Sequence, residues 1–294
     1  MSATRPPFDR SAEDVGNSVL FEHVNLRVPD QRLANLFYIG GLGLTRDPWL
    51  MTGVDNMWVN VGRQQIHLPE GPAQRVRGRI GLVVPDLEPL CTRLQVVAPK
   101  LAGTLFDWVG GSAQVDLVCP WGNRITCHAP DPVRFGRVGL GLAYLETPVP
   151  RGAGRALGRF YRTVLGLPVR DWEEGAVRGV DVIVGPAQWL RFTERDGLPE
   201  AYDGHHVQLY LAEFSRPHRW LAERGRITEE SNAWQYRFVD LVDPEDGHTV
   251  LQLEHEIRSL THPLFGRALV NRNPAMSPNG FAAGLEHRPW VHIP

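Results

Sequence analysis

Residues 21–49, FEHVNLRVPDQRLANLFYIGGLGLTRDPW, carry the pattern from which the rest of the chain can be read. His23, Asn25 and Arg27 alternate with Val24, Leu26 and Val28, the period-two signature of a strand with one buried face. Pro29-Asp30 ends that strand, Leu33, Leu36 and Phe37 then recur at helical spacing, and Gly40-Gly41 stops the helix. Asn56–Val61 and Gln64–Leu68 follow as short strands joined by a turn at Gly62-Arg63. One such unit leaves a sheet face uncovered and so requires a partner.

The unit returns. Phe37-Tyr38 and Leu42-Gly43-Leu44 reappear 123 residues later as Phe160-Tyr161 and Leu165-Gly166-Leu167, and Arg46-Asp47 and Trp49 are answered by Arg170-Asp171 and Trp172. A long-period repeat of this kind marks a duplicated structural unit. Two further copies are expected. One opens at Arg79-Ile80-Gly81-Leu82-Val83-Val84 and ends on Arg124–His128; the other opens at His205-His206-Val207-Gln208 and ends on Thr249–Glu254. The fold class expected is α+β, with four βαβββ modules.

These motifs resemble the vicinal oxygen chelate superfamily, the glyoxalase, bleomycin-resistance and extradiol-dioxygenase group. The resemblance rests on His23-Val24-Asn25-Leu26, the helix ending Phe37-Tyr38 with Leu42-Gly43-Leu44, Gln65-Ile66-His67-Leu68, and Pro120-Trp121-Gly122-Asn123-Arg124, and spans about residues 21–256. It implies that modules pair into glyoxalase-like domains, each a cup around a metal or ligand. The expected organisation is an N-terminal extension (1–19), a half with modules one and two (20–131), a half with modules three and four (138–256), and a tail (257–294) packed over the outside of the domains.

The resemblance also implies where metal ligands stand: on the first and last strands of each of two partnered modules. Module one offers His23 and His67, and module two Arg79 and Thr126, neither a plausible ligand. In module three Tyr144 aligns with His23, by matching Val149-Pro150 to Val28-Pro29, and Leu190 with His67. Module four offers His206, with Glu254 on its last strand and Gln252 as the alternative one pleat away. If modules one and four pair, one cup collects His23, His67, His206 and Glu254, a set suited to a divalent Fe, Zn, Ni or Mn ion. If neighbours pair, each cup holds half a set. Extradiol dioxygenases use that second arrangement, but here Tyr144 replaces their first histidine.

The function expected is a metal-dependent enzyme acting on a small oxygen-chelating substrate, aromatic ones included, by lyase, isomerase or dioxygenase chemistry. The alternative is a metal-free cup that sequesters a small molecule or drug. Trp58, Trp189 and Trp234 suit an aromatic ligand, although core packing explains most of the nine tryptophans. Gly152-Ala153-Gly154 with Gly158 is spaced one residue too long for a dinucleotide fingerprint.

A net charge of −2 gives no reason to expect nucleic acid or an anionic membrane as partner. Three cysteines without a CxxC pair point to a reducing compartment, and the polar N-terminus lacks a signal-peptide core. A cytoplasmic protein is expected, with a homodimer left open.

Overall fold

The computed structural model describes residues 10–47, 55–197 and 200–269. Trp49 and the tail beyond residue 269 lie outside these. Module one comprises β1 (Ser18–Asn25), α1 (Gln31–Ala34), β2 (Thr45–Arg46), β3 (Asn56–Val61) and β4 (Gln64–Pro69). Module two has β5 (Arg79–Val83), α2 (Leu87–Val97), β6 (Asp107–Gly110), β7 (Gln114–Val118) and β8 (Arg124–His128). A short connecting helix, α3 (Pro132–Phe135), leads to module three: β9 (Gly141–Pro150), α4 (Ala153–Phe160), β10 (Val169–Glu174), β11 (Val177–Gly185) and β12 (Gln188–Arg195). Module four has β13 (His206–Leu211), α5 (Ser215–Ala222), β14 (Ile227–Asn232), β15 (Gln235–Val242) and β16 (Thr249–Ser259).

The duplicated motif has the same local conformation in both copies. α1 and α4 each run into a π-helical turn, Asn35–Gly41 and Tyr161–Leu165, which contain the repeated aromatic pair or its tyrosine. Each turn is followed by a glycine of the repeat in the left-handed region, Gly43 at φ 71° and Gly166 at φ 72°, where a side chain would be strained. Asp30 starts α1 by accepting from the amides of Arg32 and Leu33.

The sheets settle how the modules associate. One eight-stranded sheet runs β14-β15-β16-β13-β1-β4-β3-β2, and the other β10-β11-β12-β9-β5-β8-β7-β6. Module four therefore joins module one, and module three joins module two. Each sheet draws one module from each half of the chain, so the halves 20–131 and 138–256 are not the paired units. The joins are antiparallel, β1 against β13 and β5 against β9, while first and last strands within each module run parallel.

Alternation gives each sheet an apolar and a polar face. Val24, Leu26, Val207 and Leu209 face a core shared with Phe37, Leu157, Phe160 and Tyr161. His23, His67, His206, Gln208 and Glu256 are also buried, on the opposite, inner face. The two sheets meet along β1, where Ser18 donates to Val184 O and the Gln188 amide exchanges hydrogen bonds with the backbone of Phe21.

The chain ends depart from the expected layout. Asn17, in the expected N-terminal extension, donates to the carbonyls of Leu165 and Glu213 and so ties modules three and four together. At the other end, residues 257–259 still belong to β16. Phe265 then packs on Tyr210, whose place two residues beyond Gln208 puts it on the inner face. The described part of the tail thus crosses the inner side of its sheet instead of covering the outside.

Candidate metal centre

The ladders fix which residues stand side by side. Across the middle of the first sheet, one row reads Glu256, Gln208, His23 and Gln65, and the next reads Glu254, His206, then Asn25 and His67. His67 is thus the parallel partner of the residue two beyond His23. In the same relation, Glu256 partners Gln208, two beyond His206. Glu256, not Glu254, is the register equivalent of His67.

Side-chain geometry agrees with the register. Among the described residues, two buried groups have ligand atoms all within 4.8 Å of one another: Glu22, His23 and His67, and His23, His206 and Glu256. A third, Asp243, Asp246 and His248, sits at the turn after β15 and is largely exposed. The His23 and His67 rings stack at 3.8 Å, and His23 meets His206 edge-on at 5.6 Å. His23 is common to both buried groups, so residues from the two ends of the chain do meet. Trp58 closes one side by stacking on His67 at 3.8 Å, whereas Trp189 packs between Tyr144 and Phe135 in the other sheet and Trp234 is exposed.

Each imidazole has one nitrogen engaged by a neighbouring polar group. The Glu22 carboxylate lies 2.6 Å from His23 Nδ1. Adjacent residues on a strand ordinarily face opposite ways, but the ladder shifts between Phe21 and His23, and this bulge at Glu22 brings both side chains together. The Gln65 Oε1 atom lies 2.9 Å from His67 Nε2. Glu254 Oε1 lies 3.4 Å from His206 Nδ1. Nε2 of His23 and Nε2 of His206 are buried and make no hydrogen bond. A carboxylate or amide oxygen holding one ring nitrogen, with the other left bare, is the pattern that orients metal-binding histidines.

The expected ligand Glu254 belongs to neither of the two buried groups. It bonds Arg237 at 2.9 Å and faces His206, and burial raises its pKa, with Arg237 opposing. Gln252 stands further out, exposed and donating to Asp240. Glu256 is gripped by Arg237 and, at 2.6 Å, by Arg258. The signal that could have identified it is the unbroken alternation of Gln252, Glu254, Glu256 and Arg258 against Leu251, Leu253, His255 and Ile257, which carries β16 on to Ser259.

Burial pushes the pKa of all three histidines well below the ordinary 6.5, and the positive charges of Arg237 and Arg258 add to this for His23 and His206. Each of these influences favours the neutral imidazole, the protonation state that metal coordination requires. By formal charge, the carboxylates of Glu22, Glu254 and Glu256 against the guanidiniums of Arg237 and Arg258 come to −1, with Glu229 also 3.5 Å from Arg237. Neutral imidazoles with bare nitrogens, a carboxylate and a residual negative charge fit a divalent transition metal.

Among the described residues, the second sheet has no such set. The same register relations place Arg79, Thr126, Tyr144 and Arg191 where the first sheet has His23, His67, His206 and Glu256. Leu190, the expected equivalent of His67, lies one residue off and faces the core. Arg79 contacts Thr126 at 3.2 Å and Asp116 at 3.4 Å. Arg191 makes a two-pronged bond to Asp181, at 2.8 and 2.7 Å, beneath Trp172. Tyr144 bonds His128 at 2.9 Å.

The three-dimensional arrangement has relatives among solved structures. Glyoxalase I from Zea mays superposes with a TM-score of 0.57 at 15% identity, covering 84% of this chain and 94% of that one. A Bacillus subtilis protein, whose dioxygenase assignment is itself provisional, superposes with a TM-score of 0.55 at 14% identity, covering 83% of this chain and 86% of that one. No protein-family model matches the chain, and no curated protein matches it by sequence. Four βαβββ modules, paired first with fourth and second with third into two sheets, give this chain a glyoxalase-like α+β fold.

Proposed function

We propose that the chain is a divalent-metal-dependent enzyme that binds two neighbouring oxygens of a small substrate in the cup of modules one and four. The observation that carries this reading is the grouping of His23 and His206 with Glu256, where the buried Nε2 atoms of both rings make no hydrogen bond and a polar partner engages the other nitrogen of each ring. His23, His67, His206 and Glu256 are the proposed ligands, with Glu256 in the part earlier expected of Glu254. A bound ion supplies Lewis acidity, polarising the chelated oxygens and stabilising negative charge that develops on them.

The chain's own residues supply the rest. Gln208 stands between Glu256 and His23 with neither end of its amide hydrogen-bonded, so it is free to orient a substrate oxygen. Arg258, buried beside Glu256 and Glu22, adds positive charge where an oxyanion would form. Glu254, whose pKa burial raises, is suited to hold a transferred proton. Four protein donors leave two places on a six-coordinate ion, enough for a chelating substrate but not for dioxygen as well. That arithmetic favours lyase or isomerase chemistry over dioxygenation, which commonly uses two histidines and one carboxylate.

Metal analysis of the purified protein tests the reading. About one equivalent of Zn, Ni, Fe or Mn is expected, lost when His23 and His206 are both replaced by Ala. A protein purified without metal that also fails to bind added zinc, nickel or cobalt would overturn it in favour of a metal-free binding cup.

A further inference from the structure

His67 differs from the other two histidines in that its partner is an amide, which can present either end. The Gln65 side chain donates from Nε2 to Asp47 Oδ2 and to Asn60 Oδ1, both at 2.7 Å. A carboxylate oxygen can only accept, so Asp47 fixes which end of the amide is nitrogen. The carbonyl end, Oε1, must then face His67 Nε2, and that nitrogen must carry the proton. Nδ1 is left as the bare nitrogen of His67.

Asp47 is buried, at 1% relative exposure. Its Oδ2 also accepts a hydrogen bond from Arg267, 220 positions along the chain. The segment bearing Arg267 is held on the inner face by Phe265, which packs on Tyr210 at 4.9 Å, and by His262 at 6.2 Å from the same ring. The contacts run in series: Arg267 to Asp47, Asp47 to Gln65, Gln65 to His67, and His67 stacked on His23.

We propose that residues 260–269 form a strap belonging to the metal centre, in which Arg267 is a positioning residue that holds His67 in its Nε2–H tautomer through Asp47 and Gln65. The inference rests on the metal-centre reading above. Arg267 grips the same carboxylate oxygen that Gln65 uses. When that grip is removed, the carboxylate can turn away from Gln65, the acceptor that fixes the nitrogen end of the amide is withdrawn, and an inverted amide then presents its NH2 to His67 Nε2. The ring proton moves to Nδ1, and the ligand lone pair is lost.

Histidine-15N NMR of the metal-free protein reads the tautomer directly. His67 is expected as Nε2–H in the parent, and as a mixture or as Nδ1–H in Arg267→Gln. Cobalt titration followed by absorbance should show Arg267→Gln binding on the order of tenfold more weakly, the low end of the effect of outer partners. Arg267→Lys should recover most of this. In an Asp47→Asn background, Arg267→Gln should add nothing further. If Arg267→Gln does not fold, Phe265→Ala, which loosens the strap without altering charge, carries the same test. An unchanged His67 tautomer and unchanged cobalt affinity in the variant would overturn the proposal. Failure of the parent to bind cobalt would instead overturn the metal reading, with the tautomer still reporting on the relay.

Discussion

Exchanging either of two glutamates for glutamine separates inner from outer roles at the proposed metal centre. Glu254 and Glu256 lie two residues apart on one face of β16, and both contact Arg237. Glu254→Gln and Glu256→Gln each change the local charge, counted over Glu22, Glu254, Glu256, Arg237 and Arg258, from −1 to 0. Loss of general electrostatic attraction for a dication is therefore common to both variants. What differs is place: Glu256 belongs to the group with His23 and His206, whereas Glu254 faces the far nitrogen of His206. Losing an outer carboxylate typically weakens metal binding by about 10- to 100-fold, or roughly 1.4 to 2.7 kcal/mol. Glu254→Gln should fall in that range. Glu256→Gln should exceed it by at least about tenfold, because a coordinating oxygen is lost as well. Competition titrations with a chromophoric zinc chelator measure both constants. Equal losses, or a greater loss from Glu254→Gln, would refute the register argument.

Other expectations follow from buried groups. His255 is fully buried, bonds Tyr161 at 3.0 Å, and has its pKa lowered by burial from 6.5 to about 4. Protons therefore bind the unfolded chain first, so this stability is complete above pH 6.5, declines as the pH falls and levels off below 4. The window is worth roughly 3 kcal/mol. In urea unfolding of metal-free protein between pH 6 and 4.5, His255→Phe should lose stability less steeply than the parent, by about 1 kcal/mol per pH unit. A matching slope would count against this. Gln208→Met should raise the stability of the metal-free protein by about 1 kcal/mol, since a buried amide lacking partners at both ends is replaced by an apolar chain; a fall in melting temperature would contradict it. A Cβ at Gly81 would come within 2.1 Å of the Tyr144 ring. Gly81→Ala should cost about 1–3 kcal/mol in chemical denaturation, with partial rescue by Tyr144→Ala.

Much of this arrangement was legible in the sequence, for reasons visible in particular residues. The period-two alternation around His23 and the Phe37-Tyr38/Phe160-Tyr161 repeat are local consequences of strand and helix geometry, and both have the expected counterparts in the structure. The pairing of modules was open, because two sheets built from neighbours would bury the same apolar faces. On sequence grounds Glu254 ranks ahead of Gln252 because a carboxylate is the better charge partner for a dication, and the strand reads as ending at Glu254. In fact β16 continues five residues past Glu254, and its charges point to a buried, arginine-lined face. Glu22 could not be assigned, since alternation turns it away from His23 and only the bulge turns it back. The contact between Arg267 and Asp47 spans most of the chain and leaves no periodic trace.

The nesting of one module pair inside the other bears on how the protein is made. Modules two and three are contiguous, so their sheet can close while the ribosome is still translating module four. Module one must wait with its half-sheet unmatched, because β13 is the strand that joins β1. A nascent chain stalled just before β13 would therefore hold an intact inner pair beside an orphaned amino-terminal unit, a natural client for a chaperone.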